Sequence, residues 1–76
     1  MGKKLTSYKD GDRVKIMRIN AGHGALVNLI NLGLNIGNIV EIGRKSNMKG
    51  PVIVSYQGTE VAIGYGLATK IIAEIA

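Results

Sequence analysis

One stretch of the chain, residues 20–42, limits most strongly what the sequence can fold into. It begins with the flexible run Asn20-Ala-Gly-His-Gly24 and ends in a β-branched segment. Between the two, residues recur at spacings of three, four and seven, as on one face of a helix: Leu26, Leu29, Ile30 and Gly33. A helix of about nine residues is too short to be stable alone. We therefore expect it to pack against a sheet.

The same stretch contains the signals that end the helix. Gly33 is placed to adopt the left-handed conformation of a helix stop, and Leu34 would then fold back on Leu29, as in a Schellman motif. The next four residues, 35–38, have glycine in the third position, which is typical of a type II turn. A strand is predicted to follow over residues 39–42.

The remainder of the chain reads as short strands joined by turns. Asp10-Gly11 is a turn signal, and residues 13–16 alternate with period two, as a strand with one solvated face does. The alternation loses its phase at residues 17–19, where a bulge would fit but is not required. Residues 1–9 are expected to be loosely held. Further elements are predicted as strands at 52–56, 60–63 and 71–75, a hairpin turn at Gln57-Gly58, an exposed loop over 43–50 and one helical turn at 67–69.

Together these elements predict a mainly β fold with one short helix inserted after the first strand. A chain of 76 residues is expected to form a single domain. About five short strands would leave edges that aggregate unless the sheet curls into a small, partly open barrel. The edges at residues 39–42 and 71–75 are where two subunits could pair in a weak homo-oligomer.

The charge of the chain favours an anionic partner. The net charge is +5, and six of the ten basic residues lie within the first 18 positions. Nucleic acid, an inner-leaflet surface and an acidic protein face are all compatible with this bias, and so is a plain solvated strand face. The sequence has no cysteine, no secretory signal and no apolar run that could span a bilayer. A cytoplasmic protein without membrane insertion is therefore expected.

The residues that could carry chemistry are too few to predict an enzyme or a metal protein. His23 is the only histidine, and the five carboxylates have no repeated ligand spacing. The sequence lacks a nucleophile–base spacing and a phosphate-binding glycine motif. We therefore expect no catalytic residues, no metal ligands and no cofactor.

Two binding functions remain open. Small basic barrels bind nucleic acid by stacking bases on aromatic side chains. Here the aromatic residues are only three tyrosines, and they are widely spaced along the chain: Tyr8, Tyr56 and Tyr65. Nucleic-acid binding is therefore kept as the alternative and not as the leading hypothesis. Protein binding is the leading hypothesis, because the helix is more apolar than its packing requires. Leu32 is expected at the barrel rim, and the candidates for partner contact are His23, Val27, Asn28 and Asn31.

A series of short motifs resembles a known family. They are Leu29-x-x-Leu32-Gly33-Leu34-x-x-Gly37, Val40-Glu-Ile42, Gly50-Pro-Val-Ile-Val54, Gly58, Val61-Ala-Ile-Gly64, Leu67-Ala68 and Ile71. In this order and spacing the chain is similar to the FeoA domain of bacterial ferrous iron transport. The resemblance implies an SH3-like β-barrel that is not an enzyme and whose partner is FeoB, the membrane transporter with a cytoplasmic G-protein domain. A similar domain serves as an interaction module in iron- and manganese-dependent repressors.

Two positions depart from the family pattern. Ile36 stands where the family has a proline that pre-sets the turn, which costs about 0.4–1 kcal/mol of preorganisation. Asn28 stands where the helix often carries a basic residue, so docking through this position is expected to differ. The resemblance otherwise implies an accessory protein that binds FeoB, modulates its assembly or activity and reaches the inner membrane through the transporter.

Overall fold

Six β-strands form one antiparallel sheet in a computed structural model that describes residues 2–45 and 50–76. The strands are β1 (Lys3–Lys4), β2 (Arg13–Ile19), β3 (Ile39–Lys45), β4 (Val52–Tyr56), β5 (Thr59–Ile63) and β6 (Ile71–Ile75). Helix α1 (His23–Asn31) follows β2, helix α2 (Tyr65–Ala68) precedes β6, and a 3₁₀ turn (Leu5–Ser7) follows β1. The predicted mainly β fold with one substantial helix after an early strand is confirmed.

The sheet is open, with β1 and β5 as its edges. Its strand order is β1-β6-β2-β3-β4-β5. All five longer strands contribute side chains to one common core, so the sheet curls around that core. Because its edges do not close on each other, "barrel" describes it only loosely. The predicted edges at residues 39–42 and 71–75 are wrong, because β3 and β6 each lie between two other strands.

Each of the five longer strands sends one pair of alternating side chains into a common core. This is the period-two pattern of a sheet with one buried face. The pairs are Val14 and Ile16, Val40 and Ile42, Val52 and Val54, Val61 and Ile63, and Ile71 and Ala73. Residues outside the strands complete the same core: Leu5, Tyr8, Leu29, Leu34 and Ala68.

Residues 3–8 are held by the sheet and the core, which corrects the expectation that residues 1–9 are loosely held; Met1 lies outside the described residues. Lys3 and Lys4 pair with β6, and Leu5 is fully buried. The Tyr8 hydroxyl donates a hydrogen bond of 2.6 Å to the carbonyl oxygen of Ala73. These contacts join positions that are 65 or more residues apart, so no local sequence pattern predicts them.

Two bulges change the direction of the sheet. In β2 the pairing with β6 shifts between Ile16 and Arg18, at the place where the alternation loses its phase. In β3 the pairing with β4 shifts between Ile42 and Arg44, and β3 then continues to Lys45. The predicted loop over 43–50 is therefore wrong at its start, and its residues 46–49 lie outside the described residues. A Cβ on Gly43 would lie 3.3 Å from the Ile53 carbonyl oxygen, so the bulge favours glycine.

The predicted helix stop is confirmed. Gly33 has φ +93°, and its N–H donates to the Ile30 carbonyl at 2.9 Å. The Leu34 N–H donates to the Leu29 carbonyl at 2.9 Å, which completes a Schellman motif. Leu34 and Leu29 are both buried in the core, so the helix end is held by packing as well as by hydrogen bonds.

The predicted turn after α1 is also present and is fastened to β2. Gly37 has φ +94°, as the third residue of a type II turn requires, and the Asn38 N–H donates to the Asn35 carbonyl at 3.1 Å. Ile16 of β2 makes two backbone hydrogen bonds with the turn. Its carbonyl accepts from the Gly37 N–H at 2.7 Å, and its N–H donates to the Asn38 carbonyl at 2.9 Å. The end of α1 is therefore fixed relative to the sheet.

Candidate functional site

Helix α1 contacts the core mainly through Leu29, which is 1% exposed. Ala25 and Leu26 flank it and are half-buried. Ile30, which was predicted to face the core, is 53% exposed. The reason is geometric: successive helical residues are separated by about 100°. When Leu29 points at the centre of the core, Leu26 lies about 60° away and Ile30 about 100° away.

All four residues predicted for partner contact are exposed: His23, Val27, Asn28 and Asn31. On a regular helix they span an arc of about 140°. Val27 is 40% exposed and lies one turn before Ile30 on the same side. We call these residues together with Ile30 the α1 outer face. It combines two aliphatic side chains with two amides and an imidazole.

A shallow hollow extends the site beyond the end of α1 towards the β4–β5 hairpin. It has a volume of about 370 Å³ and is lined by Leu32, Gly33, Tyr56, Gln57, Thr59 and Val61. Leu32 is 45% exposed, although the sequence predicted it at a buried rim. The hairpin reaches its tip in a two-residue turn in which Gln57 and Gly58 both have positive φ, 50° and 79°. Sequence reasoning missed this part of the site, because helix and hairpin are distant along the chain.

The tyrosines do not all remain available for stacking. Tyr8 is 7% exposed and its hydroxyl is bonded to the β6 backbone. Tyr56 is half-buried beside the hollow, and Tyr65 is exposed at the start of α2. Base stacking needs open aromatic faces, so Tyr8 cannot contribute to a nucleic-acid surface of this kind.

Within residues 2–45 and 50–76, no three or more His, Cys, Asp or Glu side chains come together as a group that could hold a metal ion. None of the helices found there is both long and apolar enough to cross a membrane. His23 is the first residue of α1 and lies on the α1 outer face.

The family model of the FeoA domain matches residues 3–75. The chain belongs to the FeoA domain family. A protein of Methanocaldococcus jannaschii, named as a candidate Fe(2+) transport protein A, is 46% identical over 72 residues, which cover 95% of this chain and 85% of that protein. The resemblance carried by the helix stop, the turn and the strand motifs is thus confirmed as family membership.

Solved structures of other proteins have a similar fold. The crystal structure of an iron uptake regulatory protein (FeoA) has a TM-score of 0.84 and 30% identity, and covers 100% of this chain and 99% of that one. A manganese-dependent transcriptional repressor has a TM-score of 0.90 over 99% of this chain and 42% of its own, at 20% identity. The second likeness concerns the fold alone. The SH3-like architecture expected from the sequence is therefore confirmed in its relatives.

Proposed function

We propose that this FeoA-family protein is an accessory protein of ferrous iron uptake that binds the cytoplasmic part of a FeoB-type transporter. The proposal is supported by the family and by the name of the M. jannaschii relative. The α1 outer face and the adjoining hollow form the contact. Binding modulates the assembly or the activity of the transporter, and the protein itself catalyses no reaction.

The exposure of aliphatic side chains on α1 is the observation that favours this surface. Val27 and Ile30 are 40% and 53% exposed, and asparagines flank them. The cores of protein interfaces are depleted in charge and enriched in apolar side chains inside a polar rim. The Schellman stop and the turn bonded to Ile16 hold this helix rigidly, so little conformational entropy is lost when a partner binds.

Modulation of a transporter requires a difference in affinity between two of its states. A bound protein shifts a conformational equilibrium only by as much as it prefers one state over the other. The G-protein part of a FeoB-type transporter provides two such states, with and without bound nucleotide. We therefore expect the affinity of the α1 outer face to change with nucleotide.

The direct test is a calorimetric titration of this protein against the isolated G-protein domain and against the full transporter in lipid nanodiscs. Each titration is run without nucleotide, with GDP and with a non-hydrolysable GTP analogue. Saturable binding that changes with nucleotide supports the proposal. Absence of binding to both preparations would refute it.

A pair of variants locates the contact. Val27→Asp places a charge in the centre of the α1 outer face and should weaken binding at least about ten-fold, the effect of a central interface residue. Ile75→Asp introduces the same charge at an exposed aliphatic residue of β6 and should leave binding unchanged. Unchanged thermal unfolding shows that Val27→Asp is folded, whereas equal effects of the two variants would contradict the α1 contact.

A further inference from the structure

A second surface lies on the outer side of the sheet, around β6. Because Ile71 and Ala73 point into the core, the alternating residues Ile72 and Glu74 point outwards. Lys70 is exposed and Ile72 is half-buried. This side of β6 is not covered by α1, which contributes its buried residue Leu29 to the opposite, inner side of the sheet.

The register of the sheet surrounds Ile72 with basic side chains. Ile72 pairs with Lys4 on β1 and with Arg18 on β2. Directly paired residues of an antiparallel sheet share a side and have Cβ atoms about 4.5–5.5 Å apart. Lys70 comes directly before β6 and is exposed. Its carbonyl accepts a hydrogen bond of 2.8 Å from the Asn20 N–H, which continues the pairing of β2 with β6 by one residue. Continued in the same way, the alternation puts Lys70 on the side of Ile72. Met17, the extra residue of the β2 bulge, is 40% exposed next to this row.

We call Lys4, Met17, Arg18, Lys70 and Ile72 the β6 outer face. A shallow hollow of about 270 Å³ runs across it, lined by Gly2, Met17, Arg18, Ile72 and Glu74. The face thus has aliphatic side chains in the centre and three cations around them. Its charges lie around a shallow hollow and not in a deep pocket that would fit one small ligand.

The carboxylates of the chain are concentrated elsewhere. Of the five acidic residues, only Glu74 borders the β6 outer face, where it pairs with Lys15. The other four lie in the turn before β2, on β3 and on β5: Asp10, Asp12, Glu41 and Glu60. The net charge of +5 is therefore distributed unevenly, and Glu74 is the one acid beside the three cations of this face.

We propose that the β6 outer face binds the surface of an anionic phospholipid bilayer. Lysine and arginine around the exposed Met17 and the half-buried Ile72 match such a surface, because cations attract the headgroups while apolar side chains enter the interface. Nucleic acid matches less well, since none of the five residues is aromatic. The proposal goes beyond transporter binding, because it uses a surface separate from α1 and needs no protein partner.

The charge count sets the expected strength. Each lysine or arginine close to an anionic leaflet improves partitioning about five-fold, so three of them contribute about 100-fold. The attraction extends over a Debye length of roughly 10 Å at 0.1 M salt. Binding should therefore be reversible, proportional to the anionic lipid content and lost at high ionic strength.

The test is co-sedimentation of the full chain with vesicles. One set contains phosphatidylcholine alone, and the other equal parts of phosphatidylcholine and phosphatidylglycerol, at about 50 mM and about 500 mM salt. We expect binding only to the anionic vesicles at low salt. The patch variant Lys4→Glu/Arg18→Glu should lose at least about 25-fold of the partitioning.

The matched control is Lys9→Glu/Arg44→Glu, which reverses two exposed cations away from this face. Each double variant lowers the net charge from +5 to +1, because two reversals remove four units (5 − 4 = 1). The control should keep its partitioning within about five-fold of the unchanged protein. If the two double variants lose binding equally, the attraction is one of net charge and the proposal is wrong.

Further experiments distinguish lipid binding by this face from binding of other partners. Val27→Asp should bind vesicles like the unchanged protein, so that failure of the transporter proposal leaves this one standing. The milder Arg18→Gln/Lys70→Gln keeps the test valid if the reversed variant unfolds. Absence of vesicle binding at low salt overturns the proposal. Patch-dependent binding to an oligonucleotide or to the transporter in detergent, with none to vesicles, overturns it in favour of nucleic acid or an acidic protein face.

Discussion

The phase of α1 can be tested by truncating two of its neighbouring aliphatic residues. Leu29→Ala removes a side chain that is 1% exposed, and Ile30→Ala removes one that is 53% exposed. A buried leucine replaced by alanine costs about 2–5 kcal/mol in lost transfer energy and cavity formation. For Ile30 we expect less than about 1 kcal/mol, because more than half of the side chain already contacts water.

The size of the protein makes this difference easy to measure. A stability of roughly 0.05–0.15 kcal/mol per residue gives about 4–11 kcal/mol for 76 residues. Leu29→Ala therefore removes a large part of the total, and a loss of about 3 kcal/mol would lower Tm by roughly 12–24 °C. If Leu29→Ala is unfolded, Leu29→Met provides a volume-conserving substitute with a loss below about 1.5 kcal/mol.

The assay is urea unfolding followed by far-UV circular dichroism, which suits a protein without tryptophan. The two alanine variants are compared at an unchanged m-value, so that a shift of the midpoint reports stability alone. Equal losses for Leu29→Ala and Ile30→Ala would refute the helix orientation. They would place Ile30 in the core and remove it from the α1 outer face.

Substitutions at two further positions test features that hold the sheet. Tyr8→Phe removes the hydroxyl that donates to the Ala73 carbonyl and should lower the free energy of unfolding by about 1–3 kcal/mol, because the hydrogen bond is buried. Urea unfolding measures this change. A loss below about 0.3 kcal/mol would contradict a stabilising role for the hydrogen bond. Gln57→Asn places a residue that tolerates positive φ at a position with φ 50° and should raise stability by about 0.5–1 kcal/mol. The β-branched Gln57→Val should instead lower Tm, and a higher Tm for valine would argue against the observed turn.

Local signals explain the parts of the fold that the sequence predicts well. The stop at Gly33 and Leu34 depends on one residue with positive φ and one apolar contact within six positions. The core pairs of the five longer strands follow from alternation alone. The hairpin turn at residues 57–58 follows from a glycine between two β-rich runs.

Non-local pairings explain what the sequence does not predict. The contact of Tyr8 with Ala73 spans 65 positions, and the order of strands places β6 between β1 and β2. The bulge at Gly43 has no compositional signal beyond the glycine itself. In the candidate site, the nine-residue helix fits two phases of the apolar pattern, which is why Ile30 was assigned to the core. The exposure of the four predicted contact residues was anticipated, and their role in binding stays a prediction.

The position of β6 between β1 and β2 has a consequence for biosynthesis. Residues 71–75 provide hydrogen bonds to two segments that are translated well before them, and Ile71 and Ala73 complete the core. Such long-range pairing gives the high contact order of slow-folding small β proteins, with folding in about milliseconds to seconds. During translation, β1 and β2 lack the strand that pairs with both of them until residue 75 has left the ribosome. A chain stalled before Ile71 would expose the inner faces of both strands, which makes it a natural substrate for chaperones and proteases.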